Sequence, residues 1–339
     1  MVAHRQEIVP WQTIRDRFQD GLIVGNGGSM AVDARFGYRS LYAAASDYGR
    51  LSPEVQEVFA RFQTQDFELV LRRLWQAQLV NVALGIAHGP VEQAYLQVRS
   101  ALIETIQAIH VTYEEASPSL IPIAEFLRQF RIVVSLNYDL IIYWAAMRGN
   151  QVFGNWFKDG FGPIRFSENW RRLQEPYGAP GATLYFYAHG NLALARTGTG
   201  HEIKILAQEQ SDLLATVLRR WTEGQAVPLF VCEGTSAQKR EAISTSGYLQ
   251  EVADGPLCEL GDSLVIYGWA MGEQEDHLLS TLRRSPPDRI AVSVHGNDHA
   301  YIDHVQRRLR SFALSELSFF AADSPGCWNQ PGPDHEAEG

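Results

Sequence analysis

The sequence predicts an α/β protein: one parallel sheet with helices on both faces, plus an inserted helical block at about 50–129. Three observations carry that prediction. Short apolar runs at Leu22, Ile132, Leu229, Leu264 and Ile290 alternate with helix-like stretches, the pattern of strands joined by crossover helices. Between about 50 and 129 the alternation stops, and apolar residues recur only at three-to-four spacing. Several of the strand-like runs end in Gly, Asn or His, and ligands of parallel sheets sit outside those carboxyl ends.

The elements follow in order. Residues 10–19 read as a short amphipathic helix. "LIVGNGGSMAVD" (22–33) is a strand that drops into a glycine loop. In the block, "SPEVQEVFARF", "DFELVLRRLWQAQLVNVAL", "GPVEQAYLQVRSALIETIQAIHVTY" and "SLIPIAEFLRQF" are helices. Ser52-Pro53 before Glu54, and Pro90 before Glu92, supply helix starts. "RIVVSL" is a strand, followed by a helix from Tyr138. After a loop-rich stretch, "TLYFYAHG" and "LALAR" read as strands around a turn. "SDLLATVLRRWTEG" is a helix capped by Ser211 or Asp212 and stopped by Gly224. "VPLFVCEGTS" is a strand into a loop. "SLVIYGWAMGEQEDHLLSTL" and "RIAVSVHGNDHAYIDHVQRRL" are each strand, loop, helix. "LSFFAAD" is the last strand. One domain over 1–323 is expected, with 324–339, rich in Pro and Gly and acidic, as a flexible tail.

Composition narrows the function. The chain has 339 residues, 45% of them hydrophobic, which is enough for a sizeable core. Its net charge of -10 argues against duplex nucleic acid as the main ligand, because phosphate contacts need a basic surface. Arg171-Arg172 and Arg307-Arg308 are only local basic pairs. The first residues carry no apolar run of signal-peptide type, and no apolar stretch is long enough to span a membrane. The three Cys (Cys232, Cys258, Cys327) are scattered, which fits a reducing cytoplasm and excludes a four-cysteine zinc ribbon.

The first strand ends in Gly25-Asn26-Gly27-Gly28-Ser29. Gly25 and Gly27 suit a dinucleotide fingerprint, but its third glycine is replaced by Met30. Asp47, at the distance of the expected ribose-binding acid, sits in helix-like sequence, and the Lys of a Walker loop is missing. A glycine turn without chemistry remains open. Asn137 and Asp139 in "SLNYDLIIYW" stand where a strand gives way to a helix, where an Asn can also be a cap. His189 precedes Gly190, and a lone His is often structural. Gly268 and Gly272 form a second glycine loop before Asp276-His277.

Taken in order, these motifs form a set: Gly-x-Gly-x-Ser, Asn-x-Asp, His-Gly, then a strand with a glycine loop. In that order the sequence resembles the sirtuin-like proteins of bacteria over about residues 20–320. It is similar to a branch whose motifs read much like "GNGxS", "NYD", "HG" and "EGTSxxK". The resemblance implies a sirtuin-like Rossmann-type sheet that binds NAD in inverted fashion and breaks its nicotinamide–ribose bond. The four-Cys zinc module of deacetylating sirtuins is absent, Gly28-Ser29 departs from the usual loop, and the helical block has no place in a deacetylase. The implied activity is therefore NAD hydrolysis, to nicotinamide and ADP-ribose, by a triggered effector of bacterial anti-phage defence.

By that resemblance Asn137 would orient the attacking water and His189 would accept a proton. Asp139 would hold the nicotinamide side or the neighbouring backbone, and Gly268 would let the adenosine ribose lie close. The amides of Gly25, Asn26, Gly27, Gly28 and Ser29, with a helix behind them, suit the pyrophosphate. The aromatics at 143–144 and 267–269 read as core, with Trp269 counted among the NAD-contacting residues. No metal is expected; a homo-oligomer or a controlling protein partner is. The rival readings are a non-catalytic sensor of NAD or ADP-ribose, and an ADP-ribosyltransferase. Two further groups stand apart. Glu233 and Lys239 in "VCEGTSAQKREAI" suit ion pairing or partner binding, with Thr235 or Ser236 as a helix cap. His295, His299 and His304, with Asp298 and Asp303, are a weak metal candidate spread over a strand end, a loop and a helix.

Overall fold

A computed structural model describes residues 6–37, 40–162, 164–231 and 233–332. The chain opens with β1 (Ile8–Val9) and two single 3-10 turns, Trp11–Thr13 and Arg15–Arg17. The continuous helix expected over 10–19 is thus corrected. Trp11, Ile14 and Phe18 are buried at helical spacing, but Ile14, at φ −121°, breaks the turn. Then come β2 (Gly21–Val24) and α1 (Asn26–Val32).

A further helix, α2 (Leu41–Asp47), precedes the expected helical block, which comprises α3 (Pro53–Arg61), α4 (Phe67–Leu84), α5 (Gly89–Ile109) and α6 (Tyr113–Leu127). No strand interrupts it among the described residues. Local chemistry sets its joints. Ser52 accepts from Val55 N with Pro53 at the first helical position. Asp66 caps α4, and Gly85, at φ +66°, closes it. Thr112 and Glu115 form a capping box on α6.

After the block come β3 (Ile132–Ser135), α7 (Ile141–Phe153), β4 (Phe157–Lys158), β5 (Thr183–Tyr187), β6 (Gly190–Thr197) and β7 (Glu202–Lys204). Next are α8 (Leu213–Thr222), β8 (Ala226–Phe230), α9 (Ser236–Ser244), α10 (Gly247–Asp254) and β9 (Ser263–Tyr267). The chain closes through α11 (Asp276–Leu282), β10 (Arg289–Val294), α12 (His299–Leu309) and β11 (Glu316–Ala321).

Eight strands form one sheet in the order β1-β11-β10-β9-β2-β3-β5-β4, and every pair is parallel. β2, β3, β5 and β9 are buried at every position, as in a parallel sheet covered on both faces. The six inner strands, β5-β3-β2-β9-β10-β11, have the doubly wound order 3-2-1-4-5-6, so the winding reverses between β2 and β9. The helical block is the crossover from β2 to β3.

One strand is placed differently from the expectation. The strand at Leu229 does not join the parallel sheet. β5 turns back at Ala188-His189, Gly190 takes φ +77°, and β6 pairs antiparallel with both β7 and β8. β8 carries Pro228 on the edge of this small sheet, a position where a missing N–H is tolerated. The tail is also corrected. Ser324, Cys327 and Trp328 are buried. Trp328 stacks on Tyr267 at 5.2 Å and donates from Nε1 to Gly28 O at 2.8 Å. A large aromatic with a satisfied donor explains why this Pro/Gly-rich segment is held. Residues 333–339 of the expected tail lie outside the described residues. Among the described residues no helix is long and apolar enough to cross a membrane.

Candidate functional site

The register levels the strand ends: Val24 of β2 stands opposite both Ser135 of β3 and Tyr267 of β9. Three loops therefore leave the sheet side by side at the reversal point. A cavity of about 1090 Å³ opens there. Gly25, Asn26, Gly27, Asn137, Asp139, His189, Gly268 and Trp269 all line it, drawn from segments far apart in sequence. Gly28 and Ser29 lie just behind, buried.

The glycines make two loops interlock. A Cβ on Gly25 would stand 2.6 Å from Trp269 Cα, and one on Gly27 would stand 2.7 Å from Gly268 Cα. Gly268 itself has φ +64°, and its Cβ would come within 2.5 Å of Gly28 N. The amides of Gly25, Gly27 and Gly28 donate to Tyr267 O, Gly268 O and Gly25 O. The expectation that the whole loop cradles a pyrophosphate is corrected to that extent. Three of its amides are engaged within the protein, and α1, only seven residues long, begins directly at Asn26. Asn26 donates its side-chain amide to Phe36 O.

Behind the loop a polar knot ties β2 to β3. Asn137 Nδ2 donates to Gly25 O at 3.0 Å and to Ser29 Oγ at 2.8 Å. Ser29 Oγ donates to Asp139 Oδ2. Asp139 Oδ1 accepts from Ile141 N, at the start of α7. Of its two expected roles, holding the neighbouring backbone is the one this geometry carries. All three side chains are buried, and such a knot persists only when fully satisfied.

His189, at the β5–β6 turn, is 2% exposed. Its Nε2 lies 2.9 Å from His277 Nε2, and its ring also bonds the Leu136 backbone. His277 Nδ1 lies 3.4 Å from Ser236 Oγ. Which ring donates in the His189–His277 contact depends on the tautomer, and the His277 ring also bonds the Gln274 backbone. Burial, then the Lys239 and His277 charges, hold His189 well below the usual imidazole range. Burial, then Lys239 and Arg240, bring His277 down to about 4. His110 is lowered too, mainly by burial; it bonds Val111 O through Nδ1 and accepts Leu140 N through Nε2.

These shifts give a signed prediction. Between pH about 6.5 and about 4 the unfolded chain binds protons at these histidines that the folded chain refuses. The histidine contribution should therefore be full above that window and fall as pH drops through it, against an opposite contribution from Asp66, whose carboxyl burial raises to about 8. Denaturant melts of wild type and His277→Asn from pH 7 to 5 isolate the histidine part: stability of the variant should fall less, or rise more, toward pH 5 than that of the wild type.

His277 and Ser236 were not among the expected site residues. The sequence shows "EDH", but its pairing with His189 needs α11 laid beside the β5 end, which no spacing reveals. The Glu233–Lys239 segment also lines the cavity. Thr235, not Ser236, caps α9, in a capping box with Gln238. Lys239 Nζ, buried, lies 3.9 Å from Glu275 Oε1. Glu233 Oε1 accepts from Tyr42 N, so it fastens α2 to the rim, and burial raises its carboxyl. Trp269 is buried, its Nε1 donating to Glu275. His295, His299 and His304 are not drawn together: no group of three or more potential ligands forms among the described residues, and His304 Nε2 bonds Met271 O.

No curated protein matches this sequence. A domain family matches it over residues 22–328, which span the strand of the first glycine loop, the helical block, every residue of the cavity named above and the buried Trp328. The chain belongs to that family, the Domain of unknown function (DUF4917).

Proposed function

We propose that this protein is a cytoplasmic, sirtuin-like NAD hydrolase, releasing nicotinamide and ADP-ribose, held off until triggered and serving bacterial anti-phage defence. One observation carries the reading. The two interlocked glycine loops stand at the reversal point of a 3-2-1-4-5-6 sheet, where dinucleotides bind, and Asn137 and His189 face the same cavity. NAD would lie across the β2 and β9 loops, its pyrophosphate met by Lys239 and the loop amides not already engaged. The carboxylates of Glu275 and Asp298 would accept from ribose hydroxyls.

In the reaction the C1′–N bond breaks, its electrons pass to the nicotinamide ring, and positive charge is left on the ribose. A water oxygen bonds to C1′ and its proton leaves to a base. Asn137 has its amide nitrogen fixed by Gly25 O and Ser29 Oγ, so its carbonyl oxygen is the group left to orient that water. His189, neutral at pH 7, would take the proton at Nε2, which requires its contact with His277 to open. His277 and Ser236 set its tautomer, and Asp139 acts at one remove, through Ser29.

The test is to incubate the purified chain with NAD and follow nicotinamide. Release that disappears in His189→Ala supports hydrolysis. One observation favours a second reading: both His189 nitrogens are already hydrogen-bonded. A non-catalytic sensor would bind NAD or ADP-ribose in the same cavity and return the NAD intact.

A further inference from the structure

The helical block has two unlike ends. The first half of α4 is anchored: Phe67, Val70, Leu71 and Leu74 are buried. So is the second half of α5, through Val98, Ala101, Leu102, Ile106 and Ile109. The distal halves are not, apart from Tyr95 of α5. Leu79, Val80, Val82 and Leu84 of α4, Ile86 in the turn and Leu96 of α5 are 45% to 67% exposed. Leu79 and Val82 share one stripe of α4, Val80 and Leu84 the next, so the helix end is apolar on more than one side. A helix of that kind belongs inside something. Residues 74–91 contain no Asp, Glu, Lys or Arg.

We propose that this hairpin is an interface between two copies of the chain, joined about a two-fold axis as a four-helix arrangement. The charge pattern selects the occupant. The protein carries net charge -10, so two copies meeting through an average face would repel. The hairpin, with no Asp, Glu, Lys or Arg over residues 74–91, adds no charge of its own to that repulsion. A strongly charged partner would find nothing to pair with along residues 74–91. An anionic membrane surface would lack the Lys and Arg that interfacial helices use. An uncharged helical hairpin fits another of its own kind, and a two-fold axis supplies one at no further requirement on sequence, since the same patch serves both sides. Antiparallel helix pairs with short loops assemble in this way. The assembly is independent of what the cavity binds.

The test is the solution mass of the full chain by light scattering or sedimentation. The wild type is expected at twice the 38.0 kDa chain mass. Leu79→Glu combined with Val82→Glu should return it to the single-chain mass with unchanged far-UV circular dichroism, because both side chains are exposed in the single chain, and should remove any dependence of the melting temperature on protein concentration. Val152→Glu, exposed on α7 instead, should leave the assembly intact. A wild type that stays at 38.0 kDa at its highest soluble concentration would overturn the proposal. So would an assembly indifferent to the double substitution. Flotation of the wild type with lipid vesicles, lost in the same double variant, would also overturn it, by assigning the hairpin to a bilayer.

Discussion

His189→Ala is expected to lower nicotinamide release from NAD by about 10²–10⁴-fold, the usual contribution of a positioned acid–base group. NAD affinity should change far less, because proton acceptance matters as the bond breaks rather than in the bound ground state. The substitution also has a structural cost. It leaves His277 Nε2 and the Leu136 carbonyl without their partner, a loss of about 1–3 kcal/mol. Melting temperature should fall, so turnover must be measured per folded molecule. Asn137→Ala should behave alike, since Ser29 Oγ loses the Asn137 donor and Gly25 O keeps only Gly28 N. If the two residues are only structural, stability falls and activity per folded molecule is unchanged. Full turnover in folded His189→Ala would remove the proposed chemistry.

Gly25→Val should give little or no folded protein. Its Cβ would stand 2.6 Å from Trp269 Cα and 2.7 Å from Gly268 O, backbone atoms that cannot step aside as a flexible side chain can. Gly268→Val adds strain, because φ +64° is costly for a β-branched residue and its Cβ would lie 2.5 Å from Gly28 N. Both belong to the overpacking class whose larger members exceed about 4 kcal/mol. The glycine loop on its own suggests another outcome, a folded protein that no longer accommodates a pyrophosphate. A Gly25→Val protein with wild-type melting and no NAD binding would show that the loops interlock less tightly than described.

The contrast between those outcomes marks how far the sequence could be read. Strands β2, β3, β9 and β10 were legible because each is a short apolar run ended by Gly, Asn or His. The helices of the block were legible because Ser52-Pro53 and Pro90 mark starts that periodicity confirms. The direction of a strand leaves no such mark. "LALAR", α8 and "VPLF" look like a crossover unit, and only Pro228 hints that β8 is an edge strand in another sheet. The tail misled through composition, since one Trp with a partner for its N–H outweighs the surrounding Pro and Gly. In the site, Gly25, Asn137, Asp139, His189 and Gly268 could be found from their places at strand ends. The His189–His277 contact and the meeting of two glycine loops are long-range facts, set by strand order. No local pattern encodes them.

The central claim, that NAD occupies the cavity between the β2 and β9 loops, is tested most directly by equilibrium binding of NAD to the purified wild type. Thermal melts with and without NAD suffice, because a ligand at a hundred times its dissociation constant adds about 2.7 kcal/mol to stability. A saturable rise in melting temperature, matched by a calorimetric binding isotherm and reduced in Lys239→Ala, is the predicted result. No binding at any NAD concentration up to the millimolar range of cells, by a protein that melts cooperatively, would contradict the account.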